Sequence, residues 1–301
     1  METIPHHGGL GIARFMARRL ARKAGANLAI EDRAHARALA DKAGDQIPCA
    51  KGITVETGEI AGQSAIFFTP DAPREGTLLF FHGGGYITGS AQSHKPFVSQ
   101  LSKALNVKAI SANYRLAPEN VCPAAAEDCE ETLRVVRETY DGPLIVAGDS
   151  AGGGVTLAAI LRHRDAGRTM PDALYLISPW VDLTGTSGTM ETEARRDPMI
   201  KPEGIRSASA IYIGSGDVMS RDASPVFADL SGLPPTLIQV GEHEVLRDDS
   251  VRLAEKLTEY GVEHRAELWT AMFHDFQLFY PVISEARAAI KGAARWLETY
   301  L

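Results

Sequence analysis

The chain has 301 residues, 45% of them hydrophobic and 23% charged, which is enough apolar material for one large buried core. A formal net charge of −7 and a pI near 5.7 argue against a nucleic-acid partner, because neutralising a phosphate backbone requires clustered Lys and Arg. We therefore expect an ordinary globular protein that does not bind nucleic acid.

Cysteine usage and apolar runs bear on the cellular compartment. Cys49, Cys122 and Cys129 are odd in number and lack C-x-x-C spacing, so the sequence predicts neither a disulfide framework nor a zinc site. No run reaches the about 18 apolar residues of a membrane-spanning helix, and no secretory apolar segment is evident near the N-terminus. We expect a cytoplasmic protein without stable membrane insertion.

The first helix-like segment combines basic and apolar residues. Five basic residues lie between Arg14 and Lys23, and they alternate with apolar residues from Leu10 to Leu20. Helical periodicity resumes from Glu31 to Lys42. The pattern favours an amphipathic helix that covers part of the folded domain, and it leaves open a transit peptide or a membrane-surface helix.

From about residue 50, short apolar or β-branched runs alternate with helical patterns, which predicts a mostly parallel sheet with helices on both faces. The predicted strands are 53–56, 64–69, 77–81, 107–113, 144–147, 174–177, 236–240 and 264–268. The predicted helices are 94–105, 124–139, 151–166, 247–260 and 283–299. The N-terminal segment and residues 184–219 interrupt this alternation, and no internal repeat or low-complexity linker marks a second domain.

A G-x-S-x-G motif, Gly148-Asp149-Ser150-Ala151-Gly152, lies between a predicted strand and a predicted helix. In this context a serine occupies a sharp strand-to-helix turn and presents its Oγ above the sheet. Small neighbours are required because the backbone approaches closely there. The motif alone also fits an ordinary Gly-rich turn, so a nucleophilic Ser150 needs a second signal.

That signal is the run His82-Gly83-Gly84-Gly85-Tyr86, which follows the predicted strand 77–81. Consecutive glycines leave backbone amides uncovered, and each amide that faces a developing oxyanion contributes about 3–4 kcal/mol. We expect an oxyanion hole from the amides of Gly83, Gly84, Gly85 and Ala151, with Gly84 and Gly85 favoured over Gly83. A phosphate-binding loop is the alternative, but no Walker lysine follows.

Four motifs occur in an order that resembles the hormone-sensitive-lipase-like branch of the α/β-hydrolase esterases. They are His82-Gly83-Gly84-Gly85, Tyr114-Arg115-Leu116-Ala117-Pro118-Glu119, Gly148-Asp149-Ser150-Ala151-Gly152 and Ser178-Pro179-Trp180. The resemblance, which runs from about residue 50 to the C-terminus, implies an α/β-hydrolase fold with an eight-stranded, mostly parallel sheet and no cofactor or metal. It also implies a helical cap, which we place at residues 1–45 and at an inserted segment, about 184–219, of a catalytic domain spanning 46–301.

The fold that this resemblance implies carries its catalytic triad in the order Ser, Asp or Glu, His. His274 follows the last predicted strand and matches the family's H-x-F element, so we expect it to be the general base. Glu244 occupies the position at which family members usually carry Asp, and a glutamate can orient the imidazole in the same way. Asp248 and Asp249 are the alternatives for the acid.

Residues near these motifs have structural interpretations beside functional ones. Asp149 is expected either to stabilise its turn or to tune the nucleophile, and Asp275 to point away from the base as a capping residue. Substrate-pocket lining and ordinary cap packing are equally consistent with Tyr86, Tyr212 and Phe276. Solvated surface positions are expected for five histidines, namely His6, His7, His94, His163 and His264.

Together these residues predict a serine carboxylesterase in which His274 takes the Ser150 proton as Oγ attacks an ester carbonyl, forming an acyl-enzyme. The resemblance points to short- and medium-chain acyl esters of small molecules, and a homodimer is left open. An amidase or deacetylase acting through the same residues is one alternative. A non-catalytic ligand-binding protein on this fold is the other.

Overall fold

The computed structural model describes residues 1–5, 11–26 and 31–301, so the predictions made for His6, His7 and Leu10 lie outside the described residues. The strands are β1 (Glu2–Ile4), β2 (Ile53–Ile60), β3 (Gln63–Pro70), β4 (Thr77–Phe81), β5 (Lys108–Ala112), β6 (Leu144–Asp149), β7 (Ala173–Ile177), β8 (Thr236–His243) and β9 (His264–Phe273). The α-helices are α1 (Gly11–Gly25), α2 (Arg33–Asp45), α3 (Ala91–Leu105), α4 (Ala124–Thr139), α5 (Ala151–Asp165), α6 (Thr189–Thr192), α7 (Pro202–Ile213), α8 (Arg247–Glu259) and α9 (Ser284–Leu297). Short 3₁₀ turns occupy Pro225–Phe227, Phe276–Phe279 and Glu298–Tyr300.

The strands form a single mixed sheet in the order β1-β9-β8-β7-β6-β4-β5-β3-β2. Only the pairs β2 with β3 and β3 with β5 are antiparallel in the part of the chain described. The predicted fold class is confirmed, but the predicted number of eight strands is wrong, because the described chain has nine. The ninth is β1, which pairs in parallel with Glu267–Trp269 of β9 and is too short to give an alternating pattern in the sequence.

Alternating side chains of the central strands build two core layers, one on each face of the sheet. On β4, Leu79 and Phe81 join a cluster with residues of α4 and α5, whereas Leu78 and Phe80 join a cluster with residues of α3 and α9. Successive strand residues point to opposite faces, so strands buried on both faces appear as continuous apolar runs. This burial explains why the sequence predicted these strands well.

The N-terminal segment contributes two helices whose contacts differ. Asp32 caps α2 by accepting a hydrogen bond from the His35 amide at 3.0 Å. On α1, Ala17 and Ala21 are buried against the domain, while Phe15 and Met16 are exposed. The helix therefore packs on the domain through its small residues and leaves its large apolar residues exposed.

No helix within residues 1–5, 11–26 and 31–301 has the length and apolar content needed to cross a bilayer.

The carboxyl ends of the parallel strands meet at one edge of the sheet, where α/β proteins bind their ligands. The loop after β4 carries the run that begins at His82, and Ser150 follows β6 at the centre of the sheet. Glu244 follows β8 and His274 follows β9. Four separate parts of the sequence thus converge at this edge.

Candidate active site

Ser150 lies in the turn between β6 and α5 with φ 52° and ψ −122°, a conformation that few non-glycine residues adopt. The residues two positions before and after it must be glycine, because a Cβ on Gly148 would lie 2.3 Å from the Gly152 carbonyl oxygen. A Cβ on Gly152 would lie 2.2 Å from the Phe81 carbonyl oxygen. The strained turn presents Oγ at the sheet edge, as the motif predicted.

Ser150, His274 and Glu244 form a continuous line of contacts. Nε2 of His274 lies 2.9 Å from Oγ of Ser150, and Nδ1 lies 3.0 Å from Oε2 of Glu244. All three side chains are buried, and Ser150 retains 7% exposure. A neutral imidazole with its proton on Nδ1 can accept the serine proton at Nε2 in this arrangement.

Glu244 is held in place by two further hydrogen bonds to its other carboxylate oxygen. Oε1 accepts a bond of 2.8 Å from Oγ of Ser178 and a short bond from the Gly241 amide. Ser178 belongs to the Ser178-Pro179-Trp180 motif, which the sequence marks only as a family feature. Its hydroxyl supports the carboxylate, a role that the sequence did not predict.

The alternative acids do not contact His274. Asp248 lies in the first turn of α8 and accepts a hydrogen bond of 2.9 Å from the Thr189 amide. Asp249 accepts bonds from the amides of Val181 and Asp182 at 3.0 and 2.9 Å. Burial raises the pKa of Asp249 to about 8, and the neighbouring Asp182 adds to the shift. Both carboxylates therefore bind backbone amides rather than the imidazole.

The glycine run turns sharply after β4, with φ 123° at Gly84 and φ 64° at Gly85. The Gly83 amide donates a 2.9 Å hydrogen bond to Oδ1 of Asp149, so its inclusion among the free oxyanion donors is wrong. The amides of Gly84, Gly85 and Ala151 have no acceptor within the described part of the chain. The uncommitted amides are thus the two that the pattern favoured, plus the one after the serine.

Through its bond to the Gly83 amide, Asp149 stabilises the loop that carries the glycine run, in line with the structural interpretation of this residue. Its Oδ2 also lies 3.2 Å from Nε2 of His94, and His94 is buried, so the expectation of a solvated His94 is wrong. His163 is buried as well, with Nδ1 3.0 Å from Glu130. Burial lowers the pKa of His82 to about 3, which keeps that imidazole neutral beside the glycine run.

Asp275 contradicts the prediction that it points away from the base. Its Oδ2 lies 3.1 Å from Nε2 of His274, and its side chain is buried. The backbone of Asp275 adopts the left-handed conformation, with φ 51° and ψ 36°, whereas the prediction was an extended turn. Its Oδ1 has no hydrogen-bond partner among the described residues. The imidazole therefore has a carboxylate near each of its two nitrogens.

These carboxylates determine the protonation of the site. Burial lowers the pKa of His274, but the nearby charges of Asp275 and Glu244 outweigh it and raise that pKa well above its ordinary value. Burial in turn raises the pKa of Asp275 to about 7, with Asp149 and Glu244 adding to the shift and His274 opposing it. The negative charges of Asp275 and Glu244 thus favour the protonated form of the imidazole.

The three residues predicted to line a substrate pocket are fully buried and do not lie together. The rings of Tyr86 and Tyr212 stack with centroids 3.9 Å apart and planes 6° apart. Phe276 packs on Trp269 in the core layer on the other face, with centroids 5.5 Å apart. In these contacts all three side chains pack against other aromatic rings. Their contact with substrate stays a prediction.

The N-terminal and inserted segments both contact the loop that follows the glycine run. From α2, Arg37 donates to the carbonyl oxygen of Ile87 at 3.0 Å and pairs with Glu119. From α7, Tyr212 stacks on Tyr86. The segments predicted as a cap are therefore connected to the candidate oxyanion loop itself.

No group of three or more His, Cys, Asp or Glu side chains is arranged to hold a metal ion in residues 1–5, 11–26 and 31–301.

Asp197 is a buried acid that the sequence did not single out. It accepts hydrogen bonds from the amides of Met199 and Val245 at 2.8 and 3.1 Å, and burial raises its pKa to about 6. Asp197 thus ties the inserted segment to the residue after Glu244.

Comparison with known proteins identifies the family of the chain. The alpha/beta hydrolase fold family matches residues 78–278. An acetyl-hydrolase of Streptomyces hygroscopicus is 39% identical over 225 residues, covering 74% of this chain and 75% of that protein. An esterase of Acinetobacter venetianus is 34% identical over 232 residues, covering 75% of this chain and 76% of that protein.

A crystal structure of an esterase from the bacterial hormone-sensitive lipase family superposes with a TM-score of 0.91 at 31% identity, covering 97% of this chain and 99% of that chain. The chain therefore belongs to the α/β-hydrolase fold family, within its hormone-sensitive-lipase branch of esterases.

Proposed function

We propose that the protein hydrolyses short- to medium-chain acyl esters of small molecules through an acyl-enzyme on Ser150. The observation that carries this proposal is the line of contacts from Oγ of Ser150 through His274 to Glu244, at 2.9 and 3.0 Å. The nearby amides without acceptors add the second part of an acyl-transfer site. The acetyl-hydrolase and esterase among the relatives support the same chemistry.

In the acylation half-reaction, Nε2 of His274 removes the Ser150 proton as Oγ forms a bond to the ester carbonyl carbon. The carbonyl oxygen becomes negatively charged and accepts hydrogen bonds from the amides of Gly84, Gly85 and Ala151. The imidazolium then gives its proton to the alkoxy oxygen as the carbon–oxygen bond breaks. The alcohol leaves and the acyl group remains on Ser150.

In the deacylation half-reaction, water takes the place of the alcohol. His274 removes a proton from the water as its oxygen bonds to the acyl carbon, and the same amides hold the second oxyanion. The proton returns to Oγ of Ser150 as the acyl–oxygen bond breaks. The carboxylic acid leaves and the enzyme is regenerated.

Glu244 acts by holding the imidazole in one tautomer and by stabilising the imidazolium that forms in each step. The hydrogen bonds from Ser178 and Gly241 fix its carboxylate, so little reorganisation is needed during the reaction. A glutamate in place of the family's usual aspartate is compatible with this role because the 3.0 Å contact is made.

Residues 1–45 and about 184–219 act as the cap that sets the acyl-chain limit. Arg37 bonds to the Ile87 carbonyl oxygen and Tyr212 stacks on Tyr86, and both contacted residues directly follow the glycine run. The Arg196 carbonyl oxygen accepts a hydrogen bond from Arg18 of α1, so the two segments also contact each other. Both features support a cap that is coupled to the oxyanion loop.

A panel of p-nitrophenyl esters from acetate to palmitate tests this function, with kcat/KM measured for each chain length. We expect the highest values from acetate to octanoate and a steep fall beyond. Matched p-nitroanilides measure the amidase alternative, and turnover of the anilides above that of the esters would overturn the ester assignment. Absence of turnover and of an acyl-enzyme with any activated ester would favour a binding protein.

The same panel tests the cap when it is applied to a chain lacking residues 1–26, which removes β1 and α1 and leaves α2. We expect a folded enzyme that accepts longer chains than the parent. A folded, truncated enzyme with the parental chain-length profile would show that α1 does not limit the acyl group.

A further inference from the structure

Helix α1 buries its small residues and exposes its large apolar residues, which is the reverse of an ordinary packing helix. Its small residues Ala17 and Ala21 face the domain and are buried. The large apolar residues face solvent, with exposed fractions of 73% for Ile12, 69% for Phe15, 53% for Met16 and 46% for Leu20. These are four of the nine large apolar side chains that are exposed in the described chain. A cluster of this kind marks an interaction surface.

Basic residues occupy the same outward face. At 100° per residue, Arg19 and Lys23 fall between the positions of Ile12, Phe15, Met16 and Leu20, and Arg22 lies at the margin beside Phe15. No carboxylate lies within ion-pair distance of Arg19, Arg22 or Lys23 among the residues that the structure describes. The helix contains no Asp or Glu, although the whole chain has a net charge of −7. The face thus combines apolar side chains with uncompensated positive charge.

We propose that this face of α1 docks on an anionic lipid bilayer surface. An interfacial helix inserts its apolar side chains at the headgroup boundary, while Lys and Arg contact anionic headgroups. The long stems of Arg and Lys allow their charges to reach the headgroups beside buried apolar side chains. A second copy of the chain fits less well, because a two-fold contact would bring Arg19 and Lys23 against the same residues of its partner.

The helix is anchored well enough to act as a docking element. Arg14 pairs with Glu285 of α9 at 2.9 Å, and Arg18 donates to the Arg196 carbonyl oxygen. Asp197, the next residue, accepts a hydrogen bond from the Val245 amide, and Val245 follows Glu244 in the chain. Docking through α1 would therefore hold the candidate active site close to the bilayer. The docking itself does not depend on ester hydrolysis and can be measured without substrate.

Co-sedimentation of the full-length chain with extruded vesicles tests the proposal. We expect binding to phosphatidylglycerol–phosphatidylcholine vesicles at low ionic strength, weaker binding as salt is added, and at least about ten-fold weaker binding to pure phosphatidylcholine. Absence of binding to the anionic vesicles at low salt would overturn the proposal.

Paired variants locate the surface. Arg19→Glu with Lys23→Glu should weaken binding to anionic vesicles by about 25-fold or more, since each basic residue near the bilayer contributes about five-fold. The control is Lys291→Glu with Arg295→Glu on the exposed side of α9, which should bind like the parent. Equal losses in the two double variants would show that overall charge, not α1, determines binding.

The apolar contribution is tested by Phe15→Ser against Met219→Ser, a substitution of an exposed methionine elsewhere. Only Phe15→Ser should weaken binding. In a Phe15→Trp variant, brominated lipid should quench emission from the new tryptophan, whereas it should not quench emission in Met219→Trp. Unchanged vesicle binding in Phe15→Ser, or a concentration-dependent dimer that Phe15→Ser abolishes, would overturn bilayer docking.

Discussion

At the carboxyl edge of the sheet, the side chains of Glu244, His274 and Asp149 are buried and each makes hydrogen bonds to named partners. On α1, by contrast, Phe15 and Met16 are exposed, and the residues that are buried are Ala17 and Ala21. A buried polar group must be satisfied by its neighbours, so its geometry is determined closely. An exposed apolar face has no such constraint within the chain, and its contacts must come from outside.

This difference between the sheet edge and α1 separates substitutions that change catalysis from those that change vesicle binding. Changes at the sheet edge should alter turnover while the fold is retained, because the affected groups act on the reacting atoms in the proposed mechanism. Changes on the outer face of α1 should alter vesicle binding and leave hydrolysis of a water-soluble ester nearly unchanged. The four predictions below test the sheet-edge side of this comparison.

The largest effect is expected from Ser150→Ala, which removes the nucleophile. Turnover of p-nitrophenyl acetate should fall by about a million-fold, the scale seen when a triad nucleophile is lost. Ser231→Ala, at an exposed serine that precedes β8, is the control. If Ser150→Ala kept more than a few per cent of activity with an unchanged melting curve, another residue would be the nucleophile.

The next largest effect is expected from Glu244→Gln, which keeps the shape of the acid but replaces an anionic acceptor with a neutral amide. Turnover should fall by about three to four orders of magnitude, because the amide can favour the wrong imidazole tautomer. Asp248→Asn is the matched control and should instead lower the free energy of unfolding by about 1 kcal/mol, by weakening its bond to the Thr189 amide. A large rate loss in Asp248→Asn with an active Glu244→Gln would reassign the acid.

Gly84→Ala should reduce kcat by about 100- to 1,000-fold with a much smaller change in KM, because the displaced amide binds charge that develops only in the transition state. A Cβ at Gly84 would lie 2.1 Å from the Thr88 carbonyl oxygen, so the loop must move. Gly292→Ala is the control, since its Cβ would meet nothing closer than 4.0 Å. A rise in KM with kcat unchanged would assign the loop to ground-state binding.

The smallest change is expected from Asp275→Asn and concerns the pH profile. The proposed mechanism requires neutral His274 as the base, and the negative charges of Asp275 and Glu244 raise its pKa, so kcat/KM should fall as the pH drops below that pKa. Removing the Asp275 charge lowers the pKa of His274 and should move this acid limb to lower pH. Glu244, the other carboxylate that contacts the imidazole, is unchanged in the variant.

Measurement of kcat/KM between pH 5 and 9 checks this, with the exposed Asp229→Asn as the control. An acid limb that is unchanged, or that moves to higher pH, would contradict the role given to Asp275.

Much of the fold and of the site could be predicted because the relevant signals are local. The apolar run before Ser150 and the glycines around it specify a strand, a strained turn and a helix within a few residues. The acid at Glu244 required the family resemblance, since no local pattern separates it from Asp248. The glycine run indicated free amides, but the bond from Gly83 to Asp149 joins residues that are 66 positions apart.

Other features depend on backbone conformation or on long-range packing, which a pattern does not record. Asp275 contacts His274 because the chain enters the left-handed region there, and nothing in the sequence marks this turn. The helical period of α1 was evident, but the period alone does not say which face is buried. The edge strand β1 has three residues, too few for any periodicity.

The most direct test of the proposed mechanism is labelling with a fluorophosphonate followed by peptide mass spectrometry. The reagent phosphonylates a serine only where a base and an oxyanion site activate it. We expect one adduct per chain, on the peptide that contains Ser150, with a labelling rate that falls strongly in Glu244→Gln and no adduct in Ser150→Ala. An adduct on a different serine, or equal labelling of the parent and Ser150→Ala, would contradict the mechanism.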